Sequence, residues 1–290
     1  MPATYEQFNQ QISVQTGGNP NLLPEESDSY SVGGVYSPSW LPDNGWGDGL
    51  VEVNYYKVKL TEAIQAPNAQ TQLDGCVETL DPVLCAGISR TGGGVINGFE
   101  NRLQNIAGID TDGLDFRVNY QAPESHYGQF GVNVMGTWLM SFTQIFETST
   151  DPLVIDRLGQ EVGDPEQGFP DFRGTFTLDW ALDNFAAQLS FRYISSIEER
   201  CPSSLYDVGL ESLCSDPAGG NNELGSRVYG DIQVSWIPPI WEDRTTLTIG
   251  VLNFLDTNPP ECLSCALNGF DATLYEVPGA FGYLRVNLKL

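Results

Sequence analysis

The chain has 290 residues, enough for one large domain or two ordinary ones with a sizeable core. It carries 38 acidic against 13 basic side chains, and this formal charge of −25 argues against nucleic acid as a partner because a phosphate backbone needs a basic surface. The single histidine, His126, excludes sites built from several imidazoles. Aromatic residues make up 11% of the chain, which is too many for a disordered acidic sequence.

No helical membrane or targeting segment is expected. Residues 1–7 lack the basic start and apolar stretch of a signal peptide. No window approaches the roughly 18 consecutive apolar residues that a membrane-spanning helix needs. The longest candidate, Phe130 to Phe142, is interrupted by Asn133 and Gly136. A membrane β-barrel stays possible, because its strands show only alternate apolar residues.

Alternation of apolar and polar residues is the dominant pattern and predicts β-strands. Strands are predicted, in chain order, at Tyr30–Tyr36, Val51–Leu60, Leu114–Tyr120, Phe130–Phe142, Thr175–Leu182, Ala187–Tyr193, Val228–Trp236 and Leu284–Leu290. A helical turn or two is expected only near Thr61–Gln70. The sequence therefore predicts an all-β protein.

Short and long connections alternate along the chain. The short turns lie near residues 41–45, 121–126, 183–184 and 238–243. The long loops lie near residues 61–99, 148–168, 199–224 and 256–279. This regular alternation is typical of a barrel with two unlike ends.

The six cysteines form three close pairs, and each pair lies in one long loop. The pairs are Cys76/Cys85, Cys201/Cys214 and Cys262/Cys265. Two of the spacings are too long for a metal knuckle, and Cys262-x-x-Cys265 follows a proline-rich loop rather than starting a helix. We therefore expect three short-range disulfides, formed in an oxidising compartment, and no metal site.

Aromatic side chains flank every short turn, as they do at a membrane interface. These are Trp40, Trp46, Tyr120, Tyr127, Trp180, Phe185, Trp236 and Trp241.

The polar face of the predicted strands carries charged residues, namely Asp115, Arg117, Asp179, Arg192, Asp231, Arg285 and Lys289. A soluble sandwich buries its inner face and does not place charges there repeatedly. The pattern predicts an antiparallel transmembrane β-barrel whose lumen these charged residues face.

The orientation of such a barrel follows from its connections, since short turns face the periplasm and long loops face outside in bacterial outer-membrane barrels. The last strand then runs inward, and residues 27–290 contain about nine strands. Residues 1–26 belong to an extracellular loop. Because single-chain bacterial barrels have an even number of strands, we expect further strands upstream of this chain.

Five segments stand out along the chain: Gly18–Ser27 with Tyr30–Gly33, Val53–Val58, Asn105 with Gly108–Asp110, Leu252–Asp256 with Pro259–Pro260, and Phe281–Leu284. In this order they resemble the C-terminal part of the barrel of TonB-dependent outer-membrane receptors. The first looks like the "GNPNLKPE-S" entry to an inward strand, and the fourth like the "NLFD…PP" penultimate strand and loop. Each motif is weak alone, but together they span nearly the whole chain.

This resemblance implies a barrel of about 22 strands closed by an N-terminal plug. Such receptors import scarce ligands, commonly ferric siderophores, across the bacterial outer membrane. The TonB–ExbB–ExbD complex supplies the energy by pulling on a TonB box. This chain contains neither plug nor box, so residues 1–290 are expected to be the last nine strands of a receptor and not to transport alone. The implied partners are TonB–ExbB–ExbD, lipopolysaccharide, outer-membrane lipid and a small-molecule ligand such as a metal chelate, with no resident cofactor.

Other interpretations remain open at this point. Arg117 and Arg192 can meet an anionic ligand such as a ferric chelate, or pair with plug carboxylates or with Asp115 and Asp179. A passive porin-like barrel is one alternative class, although it normally lacks disulfide-tied loops. A secreted β-rich carbohydrate-binding protein is another, and it would be soluble without detergent. Enzymatic activity is not expected, because the sequence shows no nucleophile elbow.

Overall fold

A computed structural model describes residues 12–66, 69–146, 148–149, 151–162, 167–239, 245–265, 268–277 and 279–288. The helices within these ranges are short: α1 (Trp40–Asp43), α2 (Ala69–Thr79), α3 (Ser203–Asp207) and a 3₁₀ helix at Glu211–Leu213. None of the helices in the described ranges is both long and apolar enough to cross a membrane.

Strands dominate the structure. In chain order they are β1 (Val14–Gly17), β2 (Glu26–Tyr36), β3 (Asp48–Gln65), β4 (Ile88–Arg90), β5 (Ile96–Arg102), β6 (Gln104–Gln121), β7 (Gln129–Phe146), β8 (Leu153–Asp156), β9 (Gln160–Glu161), β10 (Phe172–Leu182), β11 (Phe185–Ile194), β12 (Ile197–Arg200), β13 (Asn221–Leu224), β14 (Arg227–Trp236), β15 (Thr245–Leu252) and β16 (Phe281–Leu288). The helical turn expected near Thr61–Gln70 is wrong over its first half. Residues 61–65 extend β3, and α2 begins only at Ala69.

The main sheet contains nine strands that neighbour each other in chain order, within the described ranges. The order is β2, β3, β6, β7, β10, β11, β14, β15 and β16, and β8 pairs with the end of β7. The pairings from β7 to β16 are antiparallel. The prediction of an all-β antiparallel sheet of about nine strands is confirmed. The order has two ends, β2 and β16, so the barrel is not closed in this chain.

One face of this sheet is apolar and exposed. Val234, Ile249 and Leu284 are register partners across β14, β15 and β16, and their exposed fractions are 39%, 64% and 72%. Alternation places these residues on one side and sends their polar neighbours to the other. Burying such side chains is strongly favourable, so a row of them left in contact with the surroundings is typical of a lipid-facing surface.

The opposite face is polar and is connected by hydrogen bonds. Asp179 accepts from Gln188 (2.8 Å), Gln188 accepts from Gln233 (3.0 Å), and Gln233 accepts from the hydroxyl of Tyr283 (2.8 Å). Tyr283 on β16 reaches over β15 at Gly250, where a Cβ atom would lie only 2.6 Å from the tyrosine ring. The glycine therefore leaves room for a chain of hydrogen bonds that ties β10, β11, β14 and β16 together.

The chain forms two compact units. The described part of the first comprises residues 12–30, Lys57–Thr111 and Ser141–Asp156. In it, β5 pairs in parallel with β1 and antiparallel with β4. The helix α2 lies with β4 and β5 in the long loop between β3 and β6. Ala63 and Phe146 form a small core with Leu60, Leu153 and Ile155.

Two polar contacts hold the first unit's segments in place. Asn105 accepts a hydrogen bond from the Leu23 amide (2.7 Å) and donates to the carbonyls of Leu23 (2.9 Å) and Glu62 (2.7 Å). Asp81 is buried and accepts from the amide (2.9 Å) and the hydroxyl of Ser149. The Ser149 hydroxyl lowers the pKa of Asp81, because the hydrogen bond stabilises its charged form.

The second unit comprises Ser31–Tyr56, Asp112–Met140 and residues 157–288. Two of its loops join in a second small sheet, in which β12 pairs in parallel with β9 and antiparallel with β13, and a third loop packs against it. Ile197, Leu224 and Cys262 form a buried cluster there, with Leu274 packed against it. The loops after β8, β11 and β15 therefore form one structure rather than three separate connections.

Candidate functional site

A cavity of about 560 Å³ lies on the polar face of the second unit. Side chains from β3, β6, β7, β10, β11 and β14 line it, together with residues of the last loop, between β15 and β16. Its charged lining is three arginines and three carboxylates: Arg117, Arg173, Arg192, Glu52, Asp115 and Glu276. We call it the arginine cavity.

Strand register brings these residues together. Arg173 on β10 lies opposite Thr137 on β7, and its neighbour in phase, Thr175, lies opposite Arg192 on β11. Arg192 in turn lies opposite Tyr229 on β14. Since side chains two residues apart share a face, the alternation seen in the sequence produces this cluster directly.

Arg192 is held by carboxylates on two sides. Its guanidinium bonds Asp231 on β14 at 3.2 Å and makes a two-pronged contact with Glu276, one bond of which measures 3.0 Å. It also lies over the ring of Tyr229, 5.5 Å from the ring centre. The hydrogen bond from Arg192 lowers the pKa of Glu276, which is therefore an anion at neutral pH.

Arg117 and Arg173 differ from Arg192 in this respect. In the part of the chain that the structure describes, neither makes a hydrogen bond or an ion pair with a protein group. Asp115, the nearest carboxylate in sequence to Arg117, accepts a hydrogen bond from Thr137 at 2.7 Å instead. Two guanidiniums thus line the cavity with their donors available.

The residues predicted to face a lumen are found on the polar face. Asp115 and Arg117 line the cavity, Asp179 bonds Gln188, and Arg192 and Asp231 pair with each other. Asp231 also accepts from the amide of Asn253 at 2.8 Å. Arg285 lies on β16 opposite Thr248, with its guanidinium 5.5 Å from the ring centre of Tyr283. Lys289 lies outside the described residues.

The arginines do not pair with the carboxylates that the sequence offered as partners. Within the described ranges, neither Asp115 nor Asp179 makes an ion pair with an arginine. Arg192 uses Asp231 and Glu276 instead. Asp231 lies opposite Ser190, which is two residues before Arg192 on β11. Glu276 comes from an irregular loop, whose conformation the alternation of apolar and polar residues does not predict.

The last loop is fixed next to the cavity by two buried carboxylates. Glu199 on β12 is 1% exposed and accepts from the amides of Leu263 (2.8 Å) and Ser264 (2.6 Å) and from the side chain of Asn222 (2.6 Å). Asp271 is fully buried and accepts from the Gly168 amide at 3.0 Å. These bonds position the residues that follow, among them Glu276.

Apolar packing completes this arrangement. Tyr275 is 3% exposed and forms a buried cluster with Ile194 and Tyr229, against which Leu274 packs. Burial raises the pKa of Tyr275, so its hydroxyl stays protonated under physiological conditions. Leu274 and Tyr275 thereby hold Glu276 over the polar face.

Aromatic residues cluster around the short turns. Trp40 and Trp46 meet edge to face at 6.0 Å, and Phe185 stacks on Trp236 at 6.2 Å. The hydroxyl of Tyr120 donates to the Trp46 carbonyl, and the indole of Trp180 donates to the Tyr127 carbonyl. Trp241 lies outside the described residues. A membrane-interface role for these residues stays a prediction.

All three cysteine pairs are bonded in the structure. The disulfides are Cys76–Cys85, Cys201–Cys214 and Cys262–Cys265. Each closes a segment within one long loop, so each restrains that loop locally. Among the residues that the structure describes, no group of His, Cys, Asp and Glu side chains is placed to hold a metal ion.

Among the residues of the site that were not picked out from the sequence are Arg173, Tyr229 and Glu276. Arg173 is in phase with Thr175 and Asp179, so extending that strand by two residues finds it. Tyr229 is likewise in phase with Asp231. Glu276 has no such signal, because it lies in an irregular loop and reaches Arg192 only through tertiary packing.

The structure is an open antiparallel sheet with one exposed apolar face, one polar face and long disulfide-tied loops. These are the features of part of a bacterial outer-membrane β-barrel. The chain matches the family described as "TonB dependent receptor-like, beta-barrel" over residues 1–254, and it belongs to that family. Its location is accordingly the bacterial outer membrane. The family is one of receptors and transporters rather than enzymes. No curated protein sequence matches the chain.

Solved structures with the same fold include two transporters and a receptor. The transporter YddB of Escherichia coli has a TM-score of 0.57 and 11% identity, covering 97% of this chain and 35% of YddB. A mutant ferric enterobactin receptor of Pseudomonas aeruginosa in complex with enterobactin gives 0.55 and 14%, covering 94% and 32%. The iron transporter FrpB of Neisseria meningitidis gives 0.52 and 13%, covering 95% and 32%. The chain thus spans about a third of the length of each.

Proposed function

We propose that this chain is the C-terminal part of the barrel of an outer-membrane receptor that imports a scarce small-molecule ligand, energised by TonB. Membership of the TonB-dependent receptor family supports this proposal. The ligand we propose is a ferric siderophore or a similar metal complex, because the iron transporter FrpB and the ferric enterobactin receptor share this fold. The partners would be the TonB–ExbB–ExbD complex, acting through the plug, and the surrounding lipopolysaccharide and outer-membrane lipid.

The arginine cavity is the observation that carries this proposal. Arg117 and Arg173 have no hydrogen-bond or ion-pair partner among the described residues, in a chain with a net charge of −25. Leaving two guanidinium groups together is unfavourable unless an anion completes the site, and guanidiniums bind carboxylates and other planar anions in a two-pronged manner. A cavity of about 560 Å³ lies within the size range of small-molecule sites.

Within the complete receptor, the remaining strands and the plug would come from outside this chain. We propose that β2 and β16 pair with those strands, because free strand edges in a membrane leave backbone groups without partners. The polar face would then line the lumen, and the long loops would be extracellular. We propose no catalytic role for the chain.

Paired substitutions of arginines in the complete receptor test the ligand proposal. The doubly substituted receptor with Arg117→Gln and Arg173→Gln should bind a triply negative ferric tris-catecholate at least about tenfold more weakly, since two charge-assisted contacts are lost. Arg285→Gln is the matched control, because Arg285 lies on the same polar face but outside the cavity. Equal loss in the two receptors would refute the cavity as the ligand site.

A further inference from the structure

The charges that line the arginine cavity balance only because of one loop residue. Three guanidiniums face three carboxylates. Glu52 lies on β3 and Asp115 on β6, so both are fixed to the sheet. Glu276 alone comes from the last loop. Without it, the lining keeps three guanidiniums and two carboxylates, and Arg192 keeps Asp231, which lies outside the lining, as its other partner.

Glu276 is also the carboxylate best able to leave. Its side chain is 49% exposed, and the described residues give it no hydrogen-bond partner other than Arg192. Exposed ion pairs are weak because water competes for both partners. Asp231, the other partner of Arg192, is 23% exposed and is held in place by the Asn253 amide.

The geometry of the contact matches what a ligand carboxylate would make. The two oxygens of Glu276 bond the two terminal nitrogens of Arg192, which is the fork-to-fork arrangement that guanidiniums form with any planar anion. Arg192 also lies in the same cavity as Arg117 and Arg173. An anion that engages those two arginines therefore competes with Glu276 for the third.

We propose that Glu276 is a built-in counter-ion of the arginine cavity, which an anionic group of the ligand displaces from Arg192. Glu276 thereby sets a minimum negative charge for the ligand, since a neutral molecule cannot replace it at Arg192 and a multiply charged anion can. The carboxylates of Glu199 and Asp271 accept from loop amides up to Thr273, and the Asp271 carbonyl accepts from the Tyr275 amide at 3.0 Å. The loop is therefore held up to Tyr275, and displacement needs only the Glu276 side chain to swing away from Arg192. This inference rests on the proposed function in treating the cavity as a ligand site.

The test measures equilibrium binding of pyrenetetrasulfonate, a fluorescent anion whose charge does not vary with pH, to the complete receptor in detergent. Glu276→Gln removes the competing charge while keeping the side chain's shape, so the probe should bind about fivefold more tightly at neutral pH. Glu261→Gln is the matched control, because Glu261 is an exposed carboxylate of the same loop outside the cavity. It should bind as the unmodified receptor does.

Acidification provides a second reading that a merely structural effect would not reproduce. Protonating Glu276 frees Arg192, so affinity for the probe should rise as the pH falls through the pKa of Glu276, and Glu276→Gln should lose that part of the rise. The other charged or titratable groups around Glu276 are the same in both receptors. They are Glu52, Asp115, Arg117, Glu161, Arg173, Arg227, Tyr229, Asp231, Asp271 and Tyr275. The difference between the two pH profiles is therefore specific to Glu276.

Each outcome decides the question. Tighter binding in Glu276→Gln alone, with the flattened pH profile, supports the counter-ion. No binding to either receptor, equal affinity in Glu276→Gln and Glu261→Gln, or equal pH profiles would overturn it. Because the measurement requires no energised membrane, its failure is distinct from a failure of TonB-dependent transport. Glu276→Asp, which keeps the charge, should bind the probe no more tightly than the unmodified receptor and shows whether the loop tolerates substitution.

Discussion

Replacing Glu199 by alanine should open the junction between the loop after β11 and the last loop. The carboxylate is 1% exposed and accepts from Asn222, Leu263 and Ser264. Glu199→Ala leaves these three donors without their acceptor, and each unsatisfied donor costs about 1 kcal/mol or more. We therefore expect local opening to become easier by about 3 kcal/mol, which is roughly a 100-fold rise in the population of the open form.

Hydrogen exchange of the Leu263 and Ser264 amides in the complete receptor measures this opening directly. Both amides should exchange roughly 100-fold faster in Glu199→Ala. The Thr273 amide should change little, since it bonds Asp271 instead. Glu198→Ala is the control, because Glu198 immediately precedes Glu199 in the same strand but is exposed. Unchanged exchange in Glu199→Ala, or equal exchange in the two variants, would show that Glu199 does not hold the two loops together.

Three further changes test other parts of the structure. Replacing both cysteines of the Cys201–Cys214 disulfide by serine should destabilise its loop by about 3 kcal/mol, seen as faster protease cleavage there; cleavage at the unchanged rate would contradict the bond's role. Gly250→Val should lower the thermal unfolding temperature because the added side chain meets an aromatic ring, whereas Gly282→Val adds atoms in open space and should not. The hydrogen bond from Ser149 lowers the pKa of Asp81 below its unfolded value of 3.8. The stability from this contact is therefore present above pH 3.8 and is lost as the pH falls through the lower pKa of the folded state. Hydrogen exchange of the Ser149 amide should become faster only in that acidic range.

Much of the sheet was predictable because it depends on a local rule. Residues two apart share a face, so the polar phase of β10, β11 and β14 could be found from residues such as Asp179, Arg192 and Asp231 before any pairing was known. The strand ends were less predictable. Residues 61–65 extend β3 because tertiary contacts, such as the bond from the Ile64 amide to Glu25, continue the strand beyond the alternating segment.

The loops carry the part of the site that the sequence does not reveal. Glu199 and Asp271 are buried by long-range contacts, and nothing in their neighbouring residues distinguishes them from the many solvated carboxylates of this acidic chain. Glu276 meets Arg192 across 84 positions of sequence. Such pairs depend on how several loops pack together, which no periodic pattern encodes. The parallel pairing of β9 with β12 is of the same kind.

We propose that this chain belongs to a receptor that uses TonB to import its ligand. The most direct test is the uptake of radioactive iron, supplied as a ferric siderophore, by iron-starved cells that express the complete receptor. We expect uptake to stop when a protonophore collapses the proton gradient and in cells that lack TonB, while ligand binding to the cell surface persists. Uptake that continues unchanged under both conditions would indicate a passive barrel and contradict the claim.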